Sequence, residues 1–63
     1  MQRTYDIFEK MSDGSVMWRV SVAGHDAAIR KLKEMAAVSP NEFELRRLPT
    51  HSVIVTINTP KPD

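Results

Sequence analysis

Two pairs of adjacent residues, His25-Asp26 and His51-Ser52, contain the groups that acid–base or nucleophilic catalysis uses. A hydrolytic triad needs a hydroxyl, an imidazole and a carboxylate that converge in a pocket from which water is restricted. Neighbours in sequence at a helix start or in a turn rarely point toward one another. We therefore interpret both pairs as helix-start and turn residues, and we predict that the protein is not an enzyme.

Metal and phosphate motifs are also missing from the sequence. The chain has two histidines and no cysteine, whereas protein zinc sites combine cysteine and histidine at characteristic spacings. It has only two glycines, Gly14 and Gly24, so it contains no glycine-rich phosphate loop. We expect no metal, no cofactor and no disulfide.

Length and charge restrict the remaining classes of function. A chain of 63 residues forms one small domain that hides roughly 60% of its surface on folding. The formal net charge of +1 argues against a strong polyanion partner. The longest apolar run, at positions 53–55, is far too short to cross a membrane, and the first residues resemble no signal peptide. We expect a cytoplasmic protein.

The first half of the chain predicts a β-hairpin followed by a helix. Residues 3–11 are rich in aromatic and β-branched types, Asp13-Gly14 is a strong turn signal, and residues 16–22 alternate with a period of two. Helix formers fill residues 27–38, with Asp26 as the N-cap or a first-turn residue and Pro40 after the end. Asp26 and Glu34 are each spaced to form an ion pair with Arg30.

The second half predicts two more strands. Residues 42–46 alternate, residues 49–52 form a turn, and residues 53–58 alternate again. The fold class is therefore α+β with the order ββαββ: an antiparallel-type four-stranded sheet with one helix packed on one face. We predict a single domain over residues 1–58 and a mobile, proline-containing tail over residues 59–63.

Alternation also predicts which side chains the helix covers. The predicted core comprises Tyr5, Ile7, Trp18, Val20, Val22, Ile29, Leu32, Met35, Phe43, Leu45, Val53, Val55 and Ile57. The candidate interaction residues on the opposite, uncovered face are Phe8, Met17, Arg19, Arg46, Ile54 and Thr56. Phe8, Met17 and Ile54 are more apolar than solubility requires, and an exposed patch of this kind marks an interface.

These surfaces leave three functions open. The first is a protein-interaction module that forms a homodimer through the uncovered face or an edge strand. The second is weak binding of single-stranded nucleic acid, with Phe8 stacking on a base between Arg19 and Arg46. The third is an antitoxin-like regulatory module that meets DNA through Arg30, Lys31 and Lys33 on the basic helix face, although a solvated helix face is the simpler interpretation of those three residues.

Several of these residues also occur in a familiar arrangement. The layout resembles that of a group of short, uncharacterised bacterial proteins, to which no activity is assigned. The residues that carry the resemblance are Tyr5-Asp6-Ile7-Phe8, Asp13-Gly14, Trp18, Gly24, Ala28 and Leu32 of the helix, and Asn41-Glu42-Phe43. The resemblance implies a compact ββαβ-type domain from a bacterium. The hairpin and helix also resemble, in layout alone, the ββα arrangement of antitoxin-type and integrase arm-binding modules.

Overall fold

Four strands and one helix follow one another in the predicted order, ββαββ. The computed structural model describes residues 3–48 and 52–59. Its elements are β1 (Thr4–Lys10), β2 (Val16–Ala23), α1 (His25–Val38), β3 (Glu42–Arg47) and β4 (Ser52–Ile57). The predicted fold class is confirmed. The predicted tail lies outside the described residues from position 60 onward, as does His51.

All neighbouring strands of the single sheet are antiparallel, and their order is β2-β1-β3-β4. Each hairpin pairs its own two strands as expected, while the pairing of β1 with β3 joins the two halves of the chain. The first two elements and the last two therefore form one sheet, with β2 and β4 at its edges.

The turn between β1 and β2 has the chemistry that Asp13-Gly14 predicts. Gly14 has a φ of 92°, and its amide donates to the carbonyl oxygen of Met11 at 3.0 Å. Asp13 Oδ1 accepts hydrogen bonds from the Ser15 hydroxyl at 2.7 Å and the Ser15 amide at 2.8 Å. These two bonds, the hydroxyl's above all, hold the pKa of Asp13 below its ordinary value.

The helix packs on one face of the sheet, and the core lies between them. The buried apolar residues are Tyr5, Ile7, Ala28, Leu32, Phe43 and Leu45. Around them pack the partly buried residues Val20, Val22, Ile29, Met35, Ala36, Val55 and Ile57. The core therefore consists chiefly of β1, β3 and one side of the helix, and most of the predicted members are in place.

Two members of the predicted core, Trp18 and Val53, are wrong. Trp18 is 56% exposed and lies opposite Phe8, and Val53 is 51% exposed and lies opposite Arg46. The exposure of each residue follows from a register shift in its edge strand. Arg19 in β2 and Ile54 in β4 have no partner on the neighbouring strand. An extra residue of this kind turns the rest of the strand over, because successive side chains point to opposite faces.

The two ends of the helix differ in the partners of their backbone groups. Gly24 occupies the N-cap position with a φ of 92°, and it has no side chain with which to cap the helix. At the other end, Asn58 adopts a φ of 60° just after β4. Its Nδ2 lies 3.2 Å from the carbonyl oxygen of Ala36, 3.0 Å from that of Ser39 and 3.2 Å from that of Asn41. The end of β4 thus satisfies carbonyl groups that the helix end leaves open.

Candidate interaction surface

The face of the sheet opposite the helix is built from rows of side chains that lie directly across from one another. One row runs from Trp18 through Phe8 and Glu44 to Thr56, and the next runs from Ser21 through Asp6 and Arg46 to Val53. A third, shorter row contains Val16, Lys10 and Glu42. We call this set of residues the uncovered face.

An aromatic patch occupies the corner of the uncovered face where β2 meets β1. It consists of Val16, Trp18 and Phe8: Trp18 follows Val16 by two residues on β2, and Phe8 is its cross-strand partner. Val16 is 41% exposed and Trp18 more so, whereas Phe8 is half-buried. Aromatic side chains with one accessible face supply the central contacts of many protein interfaces.

Charged side chains frame the aromatic patch. The guanidinium carbon of Arg46 lies 4.3 Å from the centroid of the Phe8 ring, at cation–π distance. Glu44 binds Arg46 at 2.9 Å and Lys10 at 3.5 Å, and Lys10 also lies 3.8 Å from Glu42. Each cation on the uncovered face therefore has a carboxylate partner on the same face.

The predicted interaction residues divide between the two sides of the sheet. Phe8, Arg46 and Thr56 lie on the uncovered face as expected. The predicted placement of Met17 and Arg19 on that face is wrong, because Met17 pairs across from Glu9 in the row that contains the buried Phe43. The guanidinium of Arg19 turns to the same side, where its Nη2 lies 2.7 Å from Glu9 Oε1.

Ile54 is the unpaired residue of the β4 register shift, and 39% of it is exposed. It therefore interrupts the alternation of β4 rather than belonging to one of the rows. Val53, its neighbour, supplies the apolar side chain of β4 that lies in a row of the uncovered face.

A buried carboxylate, Glu9, holds several elements together. Its Oε1 accepts from Arg19 of β2, while its Oε2 accepts from the Ser39 hydroxyl at 3.0 Å and from Asn41 Nδ2 at 2.7 Å. The hydrogen bond from Asn41 has the largest effect, followed among the favourable contacts by Arg19 and Ser39, so the pKa of Glu9 lies below its ordinary value despite burial. We interpret the cluster as a structural link between the hairpin and the end of the helix.

The basic helix face is less uniform than the sequence suggests. Lys31 pairs with Glu34 at 3.5 Å, one turn along the helix. The two ion pairs expected for Arg30, with Asp26 and with Glu34, are not formed. Arg30 instead lines a cavity at the start of the helix together with Arg3. The three basic residues, Arg30, Lys31 and Lys33, therefore do not form a free cationic stripe.

Within residues 3–48 and 52–59, the His25-Asp26 pair lies at the start of the helix. His25 Nδ1 and Asp26 Oδ1 are 3.5 Å apart, and the Asp26 side chain is fully exposed to solvent. Within these ranges no group of three histidine or acidic residues could hold a metal ion. The only helix found there is too short and too polar to cross a membrane.

Comparisons with known proteins do not place the chain in a family. No protein-family model matches it, and no curated protein or solved structure matches it either.

Sequence reasoning missed three features of these surfaces, and only one had a clear signal. Glu9 continues the alternation of Tyr5 and Ile7 in β1, so a buried acidic residue could have been inferred there. The exposure of Trp18 and of Val53 depends on register shifts at an arginine and an isoleucine, neither of which is typical of a bulge.

Proposed function

We propose that this protein is a non-enzymatic protein-interaction module that pairs with a second copy of itself. The surface would be the uncovered face together with the β2 edge. The observation that carries the proposal is the aromatic patch, in which the chain's single tryptophan stands more than half exposed beside Phe8. The lack of cysteine fits a reducing compartment, so we also propose a cytoplasmic location.

The charge pattern of the uncovered face favours a second copy as the partner. Lys10 and Arg46 lie among Asp6, Glu42 and Glu44, so both signs occur within one small area. In a two-fold dimer the same patch meets itself, and such a patch must be complementary to itself. A face that carries both signs can satisfy that condition, whereas a face of one sign would repel its copy.

The β2 edge adds surface that the dimer needs. Four strands spaced about 4.8 Å apart and about 20 Å long offer roughly 400 Å² in projection, which is half of the roughly 800 Å² that each partner contributes to a standard interface. The outer edge of β2 presents unpaired backbone groups, and its one charged residue, Arg19, is held by Glu9. We therefore expect a weak dimer, roughly micromolar in dissociation constant.

The test is the solution molar mass over a range of protein concentrations, measured by sedimentation for the wild-type chain and two variants. Trp18→Lys places a charge in the aromatic patch, while Val38→Lys removes a valine that is 86% exposed on the helix, away from the sheet. We expect dimers in the wild type and in Val38→Lys and monomers in Trp18→Lys. A wild type that stays monomeric at millimolar concentration, or a Trp18→Lys protein that still dimerises, contradicts the proposal.

Single-stranded nucleic acid is a second candidate partner, supported by the arrangement of Phe8, Trp18 and Arg46. Two neighbouring aromatics with an arginine beside them form the kind of platform on which bases stack. Asp6, Glu42 and Glu44 on the same face would repel phosphates, which is why we rank this function second. Quenching of Trp18 fluorescence by an oligonucleotide, weakening steeply with salt, would support it. No quenching at low salt would exclude it.

The antitoxin-like alternative concerns the helix rather than the sheet. Lys31 already pairs with Glu34, which leaves Arg30 and Lys33 to contact duplex DNA. Replacing Arg30, Lys31 and Lys33 with glutamine should abolish duplex binding if this candidate is right. Unchanged binding in the triple variant, or no binding by the wild type at low salt, would exclude it.

A further inference from the structure

A cavity of about 420 Å³ opens at the start of the helix, between the beginning of β1 and the end of β2. Its lining includes Arg3, Tyr5, Gly24, His25, Asp26 and Arg30. None of its lining residues belongs to the aromatic patch of the proposed dimer.

Backbone donors at this helix start are left without acceptors. The amide of Ala28 donates to the Gly24 carbonyl oxygen at 3.0 Å, which closes the first turn. The amides at positions 25–27 have no acceptor within the described part of the chain, because the N-cap residue is a glycine with no side chain. Such amides carry the positive end of the helix dipole and bind anions.

Two arginines of the cavity have no acidic partner among the described residues. Arg19, Arg46, Lys10 and Lys31 each form an ion pair, whereas Arg3 and Arg30 form none. Arg30 lies one turn from both Asp26 and Glu34, yet it contacts neither. The carboxylate of Asp26 is fully exposed and lies 3.5 Å from the His25 ring.

The largely buried Tyr5 side chain is an independent indication of a ligand. Tyr5 is only 5% exposed and lines the cavity, and its ring lies edge-on to that of His25 with centroids 5.8 Å apart. Its hydroxyl group has no hydrogen-bond partner in residues 3–48 and 52–59, and it is not sealed from solvent. A tyrosine packed into the core with an unpaired hydroxyl at a cavity wall is placed to donate to a bound group.

We propose that this cavity binds a phosphate group. The free amides of the helix start and the Tyr5 hydroxyl would donate to its oxygens, and Arg3 and Arg30 would neutralise its two charges. Arginine suits this task because its planar guanidinium matches phosphate geometry and stays charged at every physiological pH. The phosphate could be free inorganic phosphate or the terminal group of a small phosphate monoester.

The test is an amide NMR titration at constant ionic strength, with inorganic phosphate and phenyl phosphate as ligands and chloride as the reference salt. We expect saturable shifts of the amides at positions 24–27 with both phosphates and none with chloride. Tighter binding of phenyl phosphate would identify an ester as the ligand, and equal affinity would identify free phosphate.

Variants separate a defined site from general attraction. Arg30→Gln should weaken phosphate binding roughly five-fold or more, the loss expected for one charge-assisted hydrogen-bond partner. Lys33→Gln is the matched control, because it removes a helix cation that does not line the cavity. Tyr5→Phe removes only the hydroxyl, and its amide spectrum reports directly whether the fold is intact.

Three results would overturn the proposal: shifts that do not saturate, equal shifts with chloride, or equal weakening by Arg30→Gln and Lys33→Gln. The titration is repeated in Trp18→Lys, so that the result does not depend on dimerisation.

Discussion

At the scale of single residues, Asn58 supports the end of the helix from a distance in sequence. Its φ of 60° is a conformation that asparagine tolerates better than most residues, and its amide group faces the carbonyl oxygens of Ala36, Ser39 and Asn41. Asn58→Gly keeps the backbone conformation and loses these bonds, so we expect a loss of about 1 kcal/mol in the free energy of unfolding. Asn58→Asp should lower the free energy of unfolding further, since it directs a carboxylate at three carbonyl oxygens.

Denaturant unfolding of both variants at neutral pH checks this prediction. Asn58→Ala is the complementary control, because it loses the same hydrogen bonds and adds the strain of a positive φ. We expect the wild type to have the highest free energy of unfolding, Asn58→Gly a lower one, and Asn58→Ala and Asn58→Asp the lowest. An aspartate variant as stable as the wild type would contradict the role of the side-chain amide.

Glu9 makes the stability of the protein depend on pH. Hydrogen bonds from Asn41, Arg19 and Ser39 hold the folded-state pKa of this carboxyl below its ordinary value. Its contribution is therefore complete above that ordinary value and is lost as the pH falls through the folded-state pKa. We expect Glu9→Gln to lower the free energy of unfolding by about 1 to 2 kcal/mol at pH 7, and the difference from wild type to shrink as the pH falls below the ordinary pKa of a glutamate.

Urea unfolding of both proteins across this range of pH measures the difference directly. Asp13→Asn is a useful comparison, because the pKa of Asp13 is also lowered, chiefly by hydrogen bonds from Ser15 in an exposed turn. Asp13→Asn should change the free energy of unfolding less than Glu9→Gln does. If the difference in free energy of unfolding between wild type and Glu9→Gln stays constant or grows on acidification, the hydrogen bonds of the cluster do not stabilise the ionised carboxylate.

At the scale of elements, the register shift of β2 decides what the uncovered face contains. Val20 lies opposite Ile7 and Trp18 opposite Phe8, so Arg19 is the residue that a regular ladder would omit. Deleting Arg19 should leave the faces of β2 unchanged and remove only the ion pair to Glu9. Deleting Val20 instead shortens β2 equally but moves the arginine opposite buried Ile7, and we expect that protein not to fold.

Far-ultraviolet circular dichroism and amide NMR dispersion distinguish these outcomes. The Arg19 deletion should keep a dispersed spectrum with a free energy of unfolding lower by about 1 to 3 kcal/mol, the cost of leaving Glu9 with one partner fewer. If both deletions fold, or if neither does, the extra residue is not what sets the two faces of β2.

The same register shift marks the boundary between what the sequence could predict and what it could not. Local patterns were sufficient for the strands, the helix, both hairpins and the burial of β1 and β3. Alternation continues unbroken through Val16, Trp18 and Val20, so nothing in it distinguishes a regular strand from one that is turned over after Arg19. The pairing of β1 with β3 is likewise a contact between distant segments, which local periodicity does not encode.

The candidate site was predicted in part for the same physical reason. Phe8 and Arg46 lie on β1 and β3, which contain no extra residue, so alternation placed them on the uncovered face. Thr56 follows the extra residue of β4 and keeps the alternation with Val55 and Ile57, so it was placed there too. Met17 lies beyond the β2 shift and was assigned to the wrong side. The cavity at the helix start depends on Arg3 and Arg30, which are far apart in sequence and meet only in the folded chain.

At the scale of the whole molecule, a small core makes association a source of stability. Only six apolar side chains are buried in the described ranges, and no disulfide adds to them. Below about 80 residues a single core supplies little net stability, and oligomerisation is one of the usual remedies. If two copies pair through the uncovered face, folding and association are linked, and the melting temperature must rise with protein concentration.

The size of that rise follows from the length of the chain. A ten-fold increase in concentration stabilises a dimer by about 1.4 kcal/mol, or about 0.7 kcal/mol per chain. With an unfolding entropy of about 2.1 cal/mol/K per residue, a chain of 63 residues should then melt about 5 °C higher for each ten-fold increase. Thermal melts followed by circular dichroism at three concentrations measure this slope. Val38→Lys should keep it and Trp18→Lys should lose it, whereas a wild-type melting temperature that is independent of concentration would mean that the aromatic patch contributes nothing to stability through a second copy.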